Sequence, residues 1–266
     1  ALDAAKEGPI FGAPVGLRRV QKLEERLHAM DIRPDHPRIF LNAETLPEVR
    51  KKAHRANMAW QSVLALAGKG DLINAAFAYA VLGGTDENGS RILLNIVKKR
   101  LSELAPEASE NNWGARKDAA VMALAFDWVY NGLTDEERQA FIEKLAYLNG
   151  MAERAEKIRN GYKRIFETFH REEWIFHSWD AWPEIALAHH VPDAGYAYKA
   201  RWNYDWYYGD AARAYAYAGD GTPFEGYYYG ADGCDWFFAL KTSTGVNLID
   251  NPEMGWCKGA AFYMLY

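Results

Sequence analysis

Length, composition and charge already limit what this chain can be. It has 266 residues, of which 49% are hydrophobic and 25% are charged, enough to bury the core of one or at most two globular domains. The net charge of -5 argues against nonspecific nucleic-acid binding, which needs a surplus of Lys and Arg facing phosphates. No apolar stretch approaches the roughly 18 residues of a membrane-spanning helix, and Cys234 and Cys257 make neither a disulfide framework nor a zinc site. We therefore predict no membrane or nucleic-acid partner, no metal and no cofactor.

Residues 1–41 differ from the rest of the chain because Gly and Pro recur through them. They surround one charged segment, Arg18 to Met30, which is predicted to be helical. Repeated Gly and Pro favour irregular structure over long regular elements. We therefore predict that residues 1–41 form an extended lead-in that packs on the body of the protein.

From Asn42 onward, apolar residues recur every three or four positions and alternating patterns are scarce, which predicts helices rather than strands. The predicted helices cover about residues 43–54, 57–68, 72–82, 89–104, 181–190, 195–218, 230–241 and 253–266. Short turns containing Gly or Asn join them, so the expected fold is all-α, an incomplete α/α toroid of antiparallel helix pairs over residues 42–266. Because residues 259–266 are apolar up to the last position, we expect the chain to be a fragment of a longer two-domain enzyme.

The clearest helix start lies at Thr134, where Thr134-Asp135-Glu136-Glu137 forms a capping box ahead of an apolar stripe. Gly150 is expected to weaken or end that helix. A second apolar stripe runs from Val121 to Val129, and Asn131-Gly132 supplies the turn between the two. The pattern predicts an αα-hairpin.

Aromatic residues concentrate between Trp174 and Phe238, a quarter of the chain that holds over half of its Phe, Trp and Tyr. Trp and Tyr present flat apolar faces with a polar handle, which suits the faces and hydroxyls of sugar rings. Many of these rings are expected to pack helices together. The best candidates for lining a cleft are Trp179, Trp182, Trp202 and Trp206.

Two polar groups of residues interrupt this aromatic zone. His177 and Asp180 are three positions apart and would share one face of a helix, and a His beside a carboxylate can be held in one tautomer for proton transfer or anion binding. The second group is the loop of residues 220–229, which contains Glu225 and ends in consecutive tyrosines. Loops on a rigid scaffold often carry catalytic groups.

Several segments then follow one another in a specific order between residues 36 and 238. They are His36-Pro37-Arg38-Ile39-Phe40-Leu41, Leu46-Pro47-Glu48-Val49-Arg50, Ala123-Leu124-Ala125-Phe126-Asp127-Trp128-Val129-Tyr130, Leu133-Thr134-Asp135-Glu136-Glu137-Arg138, and Asp220-Gly221 through Glu225-Gly226 to Tyr229. In this order they resemble the heparinase II/III-type polysaccharide lyases. The last segment is similar to the family loop that delivers a catalytic tyrosine four residues after Glu or Gln.

The resemblance implies a role for each matching residue. Tyr229 would be the catalytic tyrosine and His177 the substrate-facing histidine, while Asp180 stands where a heparinase II-like enzyme has a glutamate that helps to neutralise the uronate. Glu225 and Tyr228 would bind substrate with the four tryptophans. The substrate would be an acidic polysaccharide, either a heparan sulfate-like glycosaminoglycan or an alginate-like polymer. The family also carries a C-terminal β-sandwich that contributes a further histidine, and it implies a periplasmic or secreted protein.

The chemistry of lytic cleavage suits these residue types. The reaction removes the proton from C5 of a uronate and expels the C4 oxygen, which becomes tractable when the adjacent carboxylate is neutralised or hydrogen-bonded. A tyrosine whose ordinary pKa is near 10 must have that pKa lowered by its neighbours to act as the base. The resulting phenol can then protonate the leaving oxygen, with His177 and a protonated Asp180 as partners for the uronate.

Two other functions compete with this interpretation. An α/α toroid can also host an inverting glycoside hydrolase, which needs two carboxylates roughly 6.5–9.5 Å apart, and Asp180 and Glu225 are the candidate pair. The third possibility is a noncatalytic sugar-binding module. Only a lyase makes an unsaturated product, so a C4–C5 double bond separates a lyase from a hydrolase, whereas affinity for a uronate oligosaccharide without turnover would indicate the binding module.

Overall fold

The computed structural model describes residues 32–83, 87–104, 112–159, 182–191 and 238–247 of the chain. Its longer helices are α1 (Leu46–Lys52), α2 (Met58–Gly68), α3 (Leu72–Leu82), α4 (Glu87–Glu103), α5 (Asn112–Val129) and α6 (Asp135–Arg159). A 3-10 turn, Tyr130–Gly132, joins α5 to α6, and shorter helices cover residues 182–187 and 238–244. Helix is the only regular secondary structure in these ranges, so the all-α prediction is confirmed for the described part of the chain.

The helices predicted between residues 43 and 104 are confirmed, and α3 has the predicted bounds. The predicted helices at residues 18–30, 195–218 and 253–266 lie outside the described residues, as do residues 1–31 of the predicted lead-in and both cysteines. Among the helices that the structure describes, none combines the length and the apolar character needed to cross a membrane.

Helix α3 lies at the centre of the described helices. Its sequence contains no charged residue, and it packs against α2, α4 and α5. A helix that is apolar all round must be covered on several sides, and small side chains let neighbouring helices approach closely. The buried residues of α3 are Ala75, Ala76, Ala78, Ala80 and Val81.

The α2–α3 hairpin is defined by a polar cap at the start of each helix. The side chain of Asn57 accepts hydrogen bonds from the backbone N–H of Ala59 and Trp60, and Asp71 accepts one from Asn74. These caps satisfy N–H groups that have no partner inside the helix. A short connection, residues 69–71, is all that separates the two helices, so they pack as antiparallel neighbours.

The α5–α6 hairpin has the predicted capping box. The backbone N–H of Thr134 donates to Glu137 Oε2 at 2.9 Å, and the N–H of Glu137 donates to Thr134 Oγ1 at 3.3 Å. The turn before it needs glycine at position 132, since a Cβ there would lie 2.0 Å from the Tyr79 hydroxyl of α3. The turn is therefore tied to the central helix by a close backbone approach.

Gly150 was predicted to weaken or end the last of these helices, and the second alternative is wrong, because α6 continues to Arg159. A glycine inside a helix costs about 1 kcal/mol relative to Ala. That cost alone does not end a helix; termination usually also involves a residue in the left-handed conformation or a following proline.

Segment 32–42 has no regular secondary structure, bends at residues 34–36 and 39–40, and packs against the helices. Ile39 and Leu41 are buried, and Trp128 of α5 donates its indole N–H to the carbonyl of Ile39 at 2.8 Å. The segment also contacts the 238–244 helix, since Asn42 Nδ2 donates to the carbonyl of Thr242 at 3.0 Å. It therefore contacts both α5 and the 238–244 helix, and its Asn42 lies 200 residues before Thr242 in sequence.

Candidate functional site

Of the residues predicted to form the site, Trp182 alone falls within the described part of the chain. The other predicted site residues lie outside the described residues. They are His177, Trp179, Asp180, Trp202, Trp206, Glu225, Tyr228 and Tyr229.

Trp182 begins the 182–187 helix and is 8% exposed. Its ring meets Phe40 edge to face, with 5.3 Å between the ring centroids. Phe40 itself has a φ of 62°, in the left-handed region that non-glycine residues rarely adopt. The indole N–H of Trp182 is buried and has no acceptor among the described residues. A buried donor of this kind is costly unless another group supplies an acceptor.

A buried polar cluster lies beside this helix, formed by His36, Arg38, Asp127 and His190 and called the histidine cluster below. Asp127 projects from the apolar stripe of α5 and is fully buried. Its carboxylate accepts the Nδ1–H of His36 at 2.6 Å, the backbone N–H of Arg38 at 2.9 Å and that of Ile39 at 2.8 Å. Three donors around one carboxylate compensate for its loss of water.

The two histidines of the cluster are joined directly. His36 Nε2 and His190 Nε2 are 2.7 Å apart. Since neutral His36 donates from Nδ1 to Asp127, its Nε2 carries a lone pair, so His190 must donate from Nε2. The Nδ1 of His190 then carries a lone pair. The ring of Tyr130 stacks on His36 with 3.9 Å between centroids, which fixes the plane of the imidazole.

Arg38 holds the end of the 182–187 helix. Its guanidinium donates to the carbonyls of Ala186 at 3.0 Å and Ala188 at 2.8 Å, and also to the carbonyl of Arg33 at 2.7 Å. The side chain is fully buried. A cation at a helix C-terminus satisfies carbonyls that have no partner in the helix and interacts favourably with the helix dipole.

Burial controls the protonation of the cluster. Desolvation lowers the pKa of His36, although the hydrogen bond and the charge of Asp127 act in the opposite direction. The pKa of His190 is lowered to about 4, first by burial and then by the positive charges of His36 and Arg38. Burial also lowers the pKa of Arg38, to about 10. Near neutral pH both imidazoles are therefore neutral and the guanidinium stays charged.

Chemically, the cluster is a chain of hydrogen bonds from buried Asp127 to half-buried His190. It ties segment 32–42, α5 and residues 186–190 into one unit. The sequence pattern predicted no functional role for His36, Arg38, Asp127 or His190, although the first three stand in segments that resemble the lyase family. The available signal was Asp127, a carboxylate within an otherwise apolar stripe.

Comparison with known proteins adds no family to this description. No protein-family model matches the chain. A search of curated proteins finds no significant match.

Proposed function

We propose that this chain is the substrate-binding helical part of a polysaccharide lyase that cleaves uronic-acid-containing polysaccharides by β-elimination. The observation that carries the proposal is the contact between two of the segments that resemble the lyase family. His36 binds Asp127, Ile39 binds Trp128, and the carbonyl of His36 accepts a hydrogen bond from Asn131, across some ninety residues of sequence. Motifs that pack together in one buried unit support a common architecture better than isolated matches do.

The same unit supports the placement of the site on the helical body. Phe40 packs on Trp182 at one end of the 182–187 helix, and Arg38 binds carbonyls at the other end. Trp182 follows Asp180 by two positions and His177 by five. A segment that carries binding groups gains precision when it leads into an anchored element, because less conformational freedom is lost on binding.

In this proposal Tyr229 removes the C5 proton and then protonates the C4 oxygen, while His177 and Asp180 neutralise the uronate carboxylate. The sugar rings are bound by Glu225, Tyr228 and the four tryptophans of the aromatic zone, Trp179, Trp182, Trp202 and Trp206. The helices belong to an α/α toroid, and a β-sandwich domain of the same enzyme completes the cleft in the periplasm or outside the cell. Exclusion of water by that domain strengthens each contact to the uronate.

The test is a panel of purified acidic polysaccharides, followed by ultraviolet absorbance of the C4–C5 double bond in the product. We expect unsaturated product when the helical part is joined to such a β-sandwich, and little or none from the helical part alone. Tyr229→Phe should abolish turnover, by about 1000-fold or more, and leave oligosaccharide binding largely intact. Tyr147→Phe is the matched control, because Tyr147 is exposed on α6.

The other outcomes separate the competing functions. New reducing ends without a double bond would identify a glycoside hydrolase, with Asp180 and Glu225 as its carboxylates. Oligosaccharide binding without either product, in the presence of the β-sandwich, would identify a noncatalytic sugar-binding module. Full activity of Tyr229→Phe would contradict the assignment of the base.

A further inference from the structure

The two imidazoles of the histidine cluster lie among charged groups of both signs. The groups that face its two imidazoles are Asp35 and Arg38 of segment 32–42, Asp127 of α5, Tyr130 of the 3-10 turn, Arg138 of α6 and His189 next to His190. Glu184 of the 182–187 helix is also buried and has interactions of its own. The positive charge of Arg38 lowers the pKa of both histidines, whereas Asp127 and Asp35 act in the opposite direction on His36.

The contact between the two histidines sets a limit on how many protons the cluster accepts. At 2.7 Å, one of the two Nε2 atoms must carry a lone pair. A first proton on His190 Nδ1 leaves the His190 Nε2–H donor in place and preserves the bond. A second proton makes all four ring nitrogens donors, so two N–H groups face each other and the contact breaks.

We propose that the histidine cluster is an acid-sensitive latch, which holds residues 186–190 on the helical body near neutral pH and releases them when its imidazoles are protonated. The latch holds this stretch in two ways, through the His36–His190 hydrogen bond and through the carbonyls bound by Arg38. Release is local because the 182–187 helix is too short to be stable without tertiary contacts. The latch operates whether or not the chain is a lyase.

The direction of the pH dependence follows from the lowered pKa values of both histidines. A released imidazole titrates near its ordinary pKa of about 6.5, whereas His190 in the cluster has a pKa of about 4. Between these values the released state binds more protons than the held state, so acid favours release. The stability of the latch is complete above about pH 6.5 and declines as the pH falls toward 4.

Hydrogen exchange of individual backbone amides in the 266-residue chain tests the proposal. The amides of Ala188 and His190 donate to the carbonyls of Glu184 and Leu187 in the held state. After correction for intrinsic exchange, their protection should fall about fivefold between pH 7 and pH 5. The amide of Ala75 in the central helix should keep its protection over the same range.

His190→Asn removes the titrating ring and should remove most of this pH dependence. His54→Asn is the control, because His54 is exposed and distant in sequence from the cluster. If His190→Asn does not fold, histidine NMR of the unaltered chain replaces it, and the His190 resonance should titrate well below the ordinary value. Equal protection at both pH values, an undiminished pH effect in His190→Asn, or a His190 that titrates at its ordinary pKa would each overturn the latch.

Discussion

Helix α3 and the histidine cluster are both buried in the helical body, but α3 is held by apolar contacts and the cluster by directional hydrogen bonds. Around α3, many small contacts each contribute little, and the loss of one atom pair leaves the rest in place. In the cluster, Asp127 serves three donors at once, so the loss of one carboxylate leaves three polar groups unpaired. Polar burial therefore concentrates stability in few residues, whereas apolar burial distributes it over many.

The largest effect is expected at Asp127. Asp127→Ala leaves the Nδ1–H of His36 and two backbone N–H groups buried without an acceptor, and should lower the free energy of unfolding by about 3–5 kcal/mol. Urea denaturation followed by circular dichroism measures it. Asp135→Ala is the control, since Asp135 is largely exposed at the start of α6. A loss below about 1 kcal/mol at Asp127 would remove the contrast between the two regions.

A smaller loss of stability is expected at Gly132, where the turn before α6 lies against Tyr79 of α3. Gly132→Ala places a methyl group 2.0 Å from the Tyr79 hydroxyl and should cost about 1–3 kcal/mol through overpacking. Tyr79→Phe removes that hydroxyl, so the double variant should recover part of the loss in a double-mutant cycle. Gly68→Ala is the matched control, because a Cβ at position 68 meets no atom within 4 Å. Equal stability losses at the two glycines would contradict close packing at position 132.

The free energy of unfolding should depend on pH through the histidine cluster and not through the uncharged helix α3. The pKa of His190 is lowered to about 4, so protonation favours the unfolded state as the pH falls from about 6.5 toward 4. After a discount for the solvent access of His190, its share of the lost stability is about 1 kcal/mol. The measurement is the free energy of unfolding at several pH values in the unaltered chain and in His190→Asn. Identical pH profiles would show that His190 does not titrate differently in the folded state.

The smallest effect is expected for a polar pair on the surface. Thr134→Ala removes one half of the capping box and should cost about 0.5–1 kcal/mol. Thr134→Ser keeps the hydroxyl and should cost less. Thermal unfolding of the two variants side by side measures the difference. A loss as large as that of Asp127→Ala would mean that burial is not what makes the histidine cluster critical.

Sequence patterns predicted the regular part of the fold well. The bounds of α3 followed from apolar residues that recur every three or four positions, and the start of α6 followed from Thr134 and Glu137. These features act over three or four residues, so a local pattern contains them. Gly150 does not end α6, which was one of the two outcomes predicted for it. Glycine weakens a helix without providing an alternative structure to replace it.

The histidine cluster was not predicted, although three of its four members, His36, Arg38 and Asp127, stand in segments that resemble the lyase family. His36 meets Asp127 across 91 residues and His190 across 154. No local periodicity reports such a pairing, and the position of Asp127 within an apolar stripe indicates burial without indicating its partners. Of the residues predicted for the lyase site, Trp182 is the one that the structure describes, and its buried packing on Phe40 was likewise not contained in the sequence pattern.

By itself, the sequence determined that this chain builds helices, where most of them begin, and which of their faces are apolar, because those properties depend on neighbours within one or two turns. Only the tertiary structure decided that α3 is surrounded on several sides and that Asp127 is served by His36, Arg38 and Ile39. It also decided that both imidazoles are neutral near pH 7. Protonation and polar burial depend on which groups the fold excludes from water, and that exclusion exists only after distant segments have packed together.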